Sequence, residues 1–167
     1  MDNSIIILEA LARIRISFLV SFFTWIYYLE YLFIAALLLL IYLQKKNEKV
    51  ILTKLFFLVF GFVLVYSIKY ITKVPRPYIA ALEKSDFSFP SNHLFISGFS
   101  LALLPSYSLL RYFSFFYFFF LVPISILYLG LHYLSDMLAG LLLGLFFSFL
   151  SDFVEKIFYR RAYRKKQ

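Results

Sequence analysis

Residues 112–155 read YFSFFYFFFLVPISILYLGLHYLSDMLAGLLLGLFFSFLSDFVE. Two apolar runs, 112–131 and 132–155, meet at His132-Tyr133-Leu134-Ser135-Asp136. Each run is about 20 residues, the length of helix that crosses about 30 Å of hydrocarbon. Working outward, residues 24–43, 51–70 and 93–110 are three further apolar runs of that kind. A polar connection, 71–92, carries Pro75, Pro77 and Pro90, and Pro105-Ser106-Tyr107-Ser108 begins a short turn near Arg111. The chain is 63% hydrophobic and 16% charged, too little polar surface to cover a water-soluble globule. These features predict an all-α fold. It is an integral membrane helical bundle with five clear transmembrane helices, in one domain over residues 1–167.

The N-terminal stretch 4–22 is less decided. It is apolar, but Glu9, Arg13, Ser17 and Ser21 recur every four residues and make one polar stripe on a helix. Glu9 precedes Arg13 in the favourable order for an ion pair, and Arg15 lies off the stripe. The segment reads as an interfacial helix or as a sixth span. Two arginines near a bilayer centre are expensive, which favours the interface. Met1-Asp2-Asn3 has no basic n-region and no small-residue cleavage site follows, so the first helices are expected to act as uncleaved insertion signals. Glu30 lies inside the first half of the 24–43 span. It reads either as a paired or snorkelling carboxylate or as a contact to a site or headgroup.

The net charge of +8 does not point to nucleic acid. It sits in Lys45-Lys46, Lys49, Lys54 and the tail Arg160-Arg161-Ala162-Tyr163-Arg164-Lys165-Lys166, between or after apolar runs. That is the positive-inside pattern. It puts the 44–54 loop, Arg111 and the C-terminus on the cytoplasmic side. Lys69–Arg76, Pro90–His93 and His132–Asp136 then fall together on the extracytoplasmic side. Cysteine is absent, which excludes disulfides and thiolate chemistry, and two histidines without a carboxylate cluster argue against a zinc site.

Those three stretches hold the candidate chemistry. His132 and Asp136, four apart, share a helix face. The carboxylate can fix the imidazole tautomer and leave the other ring nitrogen as base or nucleophile, or the two can be a plain surface pair. His93 follows Pro90-Ser91-Asn92 at a helix start, where free N–H groups bind anions. It can protonate a leaving oxygen, while Ser91 or Asn92 serves as an ordinary cap. Lys69 and Arg76 flank the helix end set by Pro75. They can converge on one phosphate or snorkel to lipid phosphates.

In this order, Lys69-x6-Arg76-Pro77, Pro90-Ser91-Asn92-His93 and Gly130-Leu131-His132-Tyr133-x2-Asp136 resemble the membrane type 2 phosphatidic acid phosphatase family, the lipid phosphate phosphatases. That family's pattern is K-x6-R-P, P-S-G-H and S-R-x5-H-x3-D. The small chain is most similar to bacterial members such as lipid A 1-phosphatases and undecaprenyl diphosphatases. The resemblance implies a metal-independent phosphatase without cofactor in the inner membrane of a prokaryote. Its implied substrates are lipid A 1-phosphate, undecaprenyl diphosphate, phosphatidylglycerol phosphate or phosphatidic acid. His132 would be the nucleophile forming a phosphohistidine, Asp136 its support, and His93 the acid and then the base. Lys69, Arg76, Ser91 and the Asn92 backbone would hold the phosphate.

The chain departs from the pattern twice. Asn92 replaces the glycine, and Ile126 replaces the arginine that follows Ser125. A further arginine often found two positions before Arg76 is Val74. Lys73, beside it, or another basic side chain is the candidate replacement cation. Loss of the arginine opens an alternative, a non-catalytic member that binds lipid phosphate. The retained histidine pair and Asp136 speak against it.

Overall fold

The computed structural model describes residues 3–45, 48–104 and 108–164, with side chains over 5–43, 48–104 and 109–157. Residues 105–107 of the expected turn and the side chains of the basic tail lie outside the described residues, and Ser108 begins a helix. The described residues are all helical or irregular. In order they form α1 (Asn3–Arg13), α2 (Ser17–Lys45), α3 (Glu48–Thr72), α4 (Asn92–Phe99), α5 (Ser108–Phe116), α6 (Val122–Leu129) and α7 (Leu134–Arg164). A 3-10 turn, Ser100–Leu103, extends α4, and a π-helical segment, Tyr117–Leu121, joins α5 to α6. Pro123 has no N–H to give the helical ladder, and the helix widens just ahead of it.

Among the described residues, four helices are long and apolar enough to cross a membrane: Ser17–Leu43, Glu48–Thr72, Leu109–Leu129 and Leu134–Ile157. Their outward faces carry exposed residues such as Phe18, Leu32, Phe56, Phe60, Phe146 and Phe149. Faces of this kind suit lipid tails, not water. The predicted span 93–110 differs. It is a shorter apolar helix, Asn92–Leu103. Leu104 is extended, as the residue before a proline prefers. Every residue of α4 is buried, and α4 touches α2, α3, α6 and α7, so its surroundings are protein instead of lipid.

The N-terminal stretch is not one helix. α1 has 11 residues, about 16 Å, too short to cross hydrocarbon. The chain breaks at Ile14-Arg15-Ile16, and Ser17 and Ser21 belong to α2. Of the two readings of this stretch, an interfacial helix or a sixth span, α1 is too short for the span. Arg15 explains the break: its Nε donates to Tyr128 O at 3.0 Å, and its Nη1 donates to Ile79 O. The guanidinium thus holds one C-terminal carbonyl of α6, where a cation is favoured, and one carbonyl of the connection between α3 and α4. Glu9 accepts a hydrogen bond from the Tyr78 hydroxyl. Lys54 is buried and pairs with Asp152 and with Glu155, at 3.0 Å for the latter, tying α3 to α7.

The closest helix contact joins α4 to α7. A Cβ on Gly144 would land on the Phe95 carbonyl, and one on Gly98 would land on the Leu141 carbonyl. Only glycine lets the two backbones approach this far. Gly144→Ala is therefore expected to lower stability by about 1–3 kcal/mol, the usual cost of overpacking. Thermal melting in detergent beside Leu142→Ala, at a lipid-facing position, checks it. Equal melting temperatures would refute the close contact.

Candidate functional site

The starts of α4 and α7 meet. Ser91 N donates to Asp136 O at 3.0 Å. Ser91 caps α4, its Oγ accepting from Leu94 N at 3.4 Å. Gly130, at φ 67°, closes α6 in the left-handed conformation and turns the chain toward α7. His132 lies in this turn, and Asp136 lies in the first turn of α7. They are therefore not neighbours on one helix face, as their spacing suggested. Their Nδ1 and Oδ2 atoms are 3.7 Å apart.

Ser88 closes that gap. Its Oγ donates to Asp136 Oδ2 and lies 3.3 Å from His132 Nδ1. Tyr133 N donates to the same carboxylate oxygen at 2.9 Å. With Nδ1 facing Ser88 and Asp136, the ring nitrogen of His132 on the Arg76 side is Nε2. Burial pushes the His132 imidazole down to about 4, with Arg76 and Lys69 adding to the fall and Asp136 opposing it. The ring is neutral near pH 7, with a lone pair on Nε2.

A cavity of about 150 Å³ opens in front of the two histidines. Lys69, Arg76, Lys84 and Asp86 line it on one side, with Tyr27, Tyr31, Tyr66 and Asn92 completing the wall. Arg76 Nη1 donates to Leu131 O at 2.8 Å and lies 3.2 Å from His132 Nε2. Arg76 Nη2 donates to Asp86 Oδ1 at 2.7 Å. Buried Lys69 donates to Phe87 O at 2.6 Å and Ser88 O at 3.2 Å, with Asp86 Oδ2 at 3.7 Å. Burial pushes the Asp86 carboxyl up, but the Arg76 charge and hydrogen bond, with the Lys69 charge, outweigh it and hold it below the usual carboxylate range. Lys84 Nζ donates to Tyr28 OH at 3.3 Å and sits 5.0 Å from the Tyr27 and Tyr28 ring centres.

His93 is seated differently. Its ring lies 3.8 Å from that of Tyr27, centre to centre, and its Nε2 is 3.5 Å from Tyr31 OH. Its Nδ1 is bonded to Glu30, which is fully buried. The Glu30 carboxylate is thus paired, and the pair is to the site.

The cavity brings together His93, His132, Lys69, Arg76 and Asn92, with Asp136 directly behind His132. It leaves out two residues. Ser91 is fully buried with its hydroxyl engaged in the helix cap. Lys73 is exposed at the end of α3, in a left-handed conformation at φ 49°, and does not line the cavity. Asn92 is helical, so the exchanged glycine costs no backbone strain there. Its effect is the volume of its side chain, whose Oδ1 is buried without a partner. Ile126 is fully buried in the apolar core and does not line the cavity. Sequence reasoning missed Ser88, Lys84 and Asp86. The charged run Glu83-Lys84-Ser85-Asp86, inside an otherwise sparsely charged connection, was the available signal. Among the described residues no group of three or more His, Asp or Glu is placed to hold a metal ion.

Known proteins share this fold. The chain is similar to the crystal structure of a transmembrane PAP2-type phosphatidylglycerolphosphate phosphatase from Bacillus subtilis. The two are 29% identical with a TM-score of 0.76, over 92% of this chain and 85% of that one. It is also similar to the crystal structure of Aquifex aeolicus LpxE, at 25% identity and a TM-score of 0.66, over 86% of this chain and 91% of that one. No curated protein matches. Residues 52–159, well over half the chain and every motif described above, match the PAP2 superfamily, so the chain belongs to that superfamily.

Proposed function

We propose that the protein is a membrane phosphatase that hydrolyses a lipid-linked phosphate through a phosphohistidine on His132. The observation that carries this reading is the single cavity shared by His93, His132, Lys69 and Arg76. The phosphate sits between the cations, which offset the charge that builds up on its oxygens. His132 Nε2 attacks phosphorus, and the bond to the lipid oxygen breaks as His93 protonates it. Water then attacks the phosphohistidine, and His93 takes its proton. The P–N bond breaks and inorganic phosphate leaves. Asp136 and Ser88, at Nδ1, steady the charge on His132 during both steps. No step calls on a metal ion or cofactor.

Lys84 takes the part of the arginine absent at Ile126, supplying a third cation from the 73–91 connection instead of from α6. This favours catalysis over a degenerate binding role, because the cationic set facing the nucleophile is restored. By the distribution of lysine and arginine, the site opens on the extracytoplasmic side of a prokaryotic inner membrane, with the C-terminus cytoplasmic. Among the candidate lipids, phosphatidylglycerol phosphate comes first. The more similar solved structure is named for that activity, and the likeness covers 92% of this chain.

Purified protein in detergent, given phosphatidylglycerol phosphate, undecaprenyl diphosphate, lipid A 1-phosphate and phosphatidic acid, should release phosphate from at least one. His132→Ala should lose at least about 1,000-fold in kcat. No release from any of the four, or equal release by the variant, overturns the enzyme reading.

The two candidate replacement cations separate cleanly. Lys84→Ala should lower kcat/KM by about 10- to 100-fold, the size of a lost charge-assisted contact. Lys73→Ala should stay within about twofold. The reverse ranking would return Lys73 to the site.

The low position of His132 is directly measurable. Attack needs the neutral ring, so competence of the free enzyme persists as pH falls and is lost only through about 4. An NMR titration of the two histidines, with His132→Ala for assignment, should show His132 uncharged at pH 6. A midpoint at the ordinary value of about 6.5 would contradict the buried geometry.

A further inference from the structure

Glu30 is midway along the candidate span Ser17–Leu43 and has no exposed surface. A carboxylate at that depth in an apolar helix is costly, and such residues usually serve a function. Its Oε2 is bonded to His93 Nδ1, and its Oε1 accepts from Ser97 Oγ at 3.4 Å. Both partners lie on α4, one turn apart, and Ser97 is itself fully buried. The carboxylate is thus aimed at His93 from a different helix and held there by a second bond. The opposite ring nitrogen, Nε2, is the one beside the Tyr31 hydroxyl at the cavity wall.

Resting on the phosphatase reading above, we infer that Glu30 is a positioning residue for His93. It holds the Nδ1 proton so that Nε2 is the atom that gives and takes protons. The site then contains two histidine–carboxylate pairs, each with a serine hydroxyl on the carboxylate: His132–Asp136 with Ser88, and His93–Glu30 with Ser97. The first serves the nucleophile and the second serves proton transfer. In the first step the P–O bond to the lipid breaks, its electron pair stays on the lipid oxygen, and that oxygen takes the proton from His93 Nε2. In the second step water forms the new P–O bond and gives its proton to His93 Nε2. The P–N electron pair returns to His132. Glu30 keeps the Nδ1 proton throughout and is not consumed.

A merely structural Glu30 would support all substrates alike. A Glu30 that works through His93 would not, because an aryl phosphate with a good leaving group needs no acid in the first step. The test compares a lipid phosphate cleaved by the wild type with p-nitrophenyl phosphate, using Glu30→Gln and Glu30→Asp. The glutamine amide can donate to Nδ1 and favour the wrong tautomer, the failure seen when an amide replaces a triad carboxylate. Glu30→Gln should lose about 100-fold on the lipid. On the aryl phosphate it should show a burst of about one nitrophenol per enzyme, with phosphohistidine accumulating, because only the second step still needs the base. Glu30→Asp should recover part of the lipid activity. In a His93→Ala background, Glu30→Gln should change nothing further.

Equal losses on both substrates without a burst, or a further loss in the His93→Ala background, would overturn the positioning role while leaving the phosphatase reading intact. The burst also reports that the variant is folded. Wild-type protein inactive on both substrates would instead remove the phosphatase reading, and this inference with it.

Discussion

The contact on which the rest depends is the close approach of α4 to α7. Glycines at 98 and 144 let backbone meet backbone, and Ser91 N reaches Asp136 O at the shared end. That single junction brings the loop before α4 and the turn before α7 into one place. His93 and His132, 39 positions apart in the chain by their numbers, become walls of one cavity. A longer side chain at the seam would part them even with every catalytic residue present. In a membrane this matters more than in water. Lipid offers no hydrophobic drive between helices, so fit between backbones carries a larger share of the association.

The second constraint is electrostatic. α4 is wholly enclosed by other helices, and the polar groups around its start have little water to turn to. Charge must then be matched within the protein. Lys69 is held by loop carbonyls and Asp86, Arg76 by Asp86 and Leu131 O, Asp136 by Ser88 and Tyr133 N, and Glu30 by His93 and Ser97. The same bonds that make burial tolerable also aim the groups. Preorganisation of this kind is where enzymes gain most, because the dipoles need not reorganise as charge develops.

Much of this was legible in the sequence. Span length and hydropathy gave the bundle: the runs 51–70 and 112–131 fall within a few residues of Glu48–Thr72 and Leu109–Leu129, while 24–43 and 132–155 are parts of the longer helices α2 and α7. Pro75 marked the end of α3. The ordered motifs named Lys69, Arg76, Asn92, His93 and His132, half of the cavity's ten lining residues, and Asp136 behind them. What stayed hidden depends on contacts between distant segments. Ile14–Ile16 break the N-terminal helix because Arg15 has partners at 79 and 128, which no local periodicity reveals. Residues 93–110 read as one apolar run, and hydropathy could not tell that its first part, Asn92–Phe99, is buried in protein and not against lipid. Ser88, Lys84 and Asp86 sit in an irregular loop, where no period of 3.6 residues marks which side chains face inward. Glu30 was ambiguous for a related reason: a lone carboxylate in a span shows that a partner exists but not which one.

Ile126 gains meaning from these contacts. In the core it touches no part of the cavity, and an arginine there would have to find acceptors among apolar neighbours such as Phe118, Val122 and Leu129. The loop between α3 and α4 has more freedom to supply charge, because it lies at the protein surface and its half-buried lysine rests on tyrosine rings. On the proposed reading, a cation on this loop keeps the cavity positive without a buried guanidinium in the bundle. The same loop brings Asp86, whose carboxylate bonds Arg76 and lies 3.7 Å from Lys69, the two cations proposed to hold phosphate. A phosphate entering the cavity therefore competes with a resident carboxylate for the same donors. A dianion, with more charge and more acceptor oxygens than one carboxylate, is the ligand suited to win that competition.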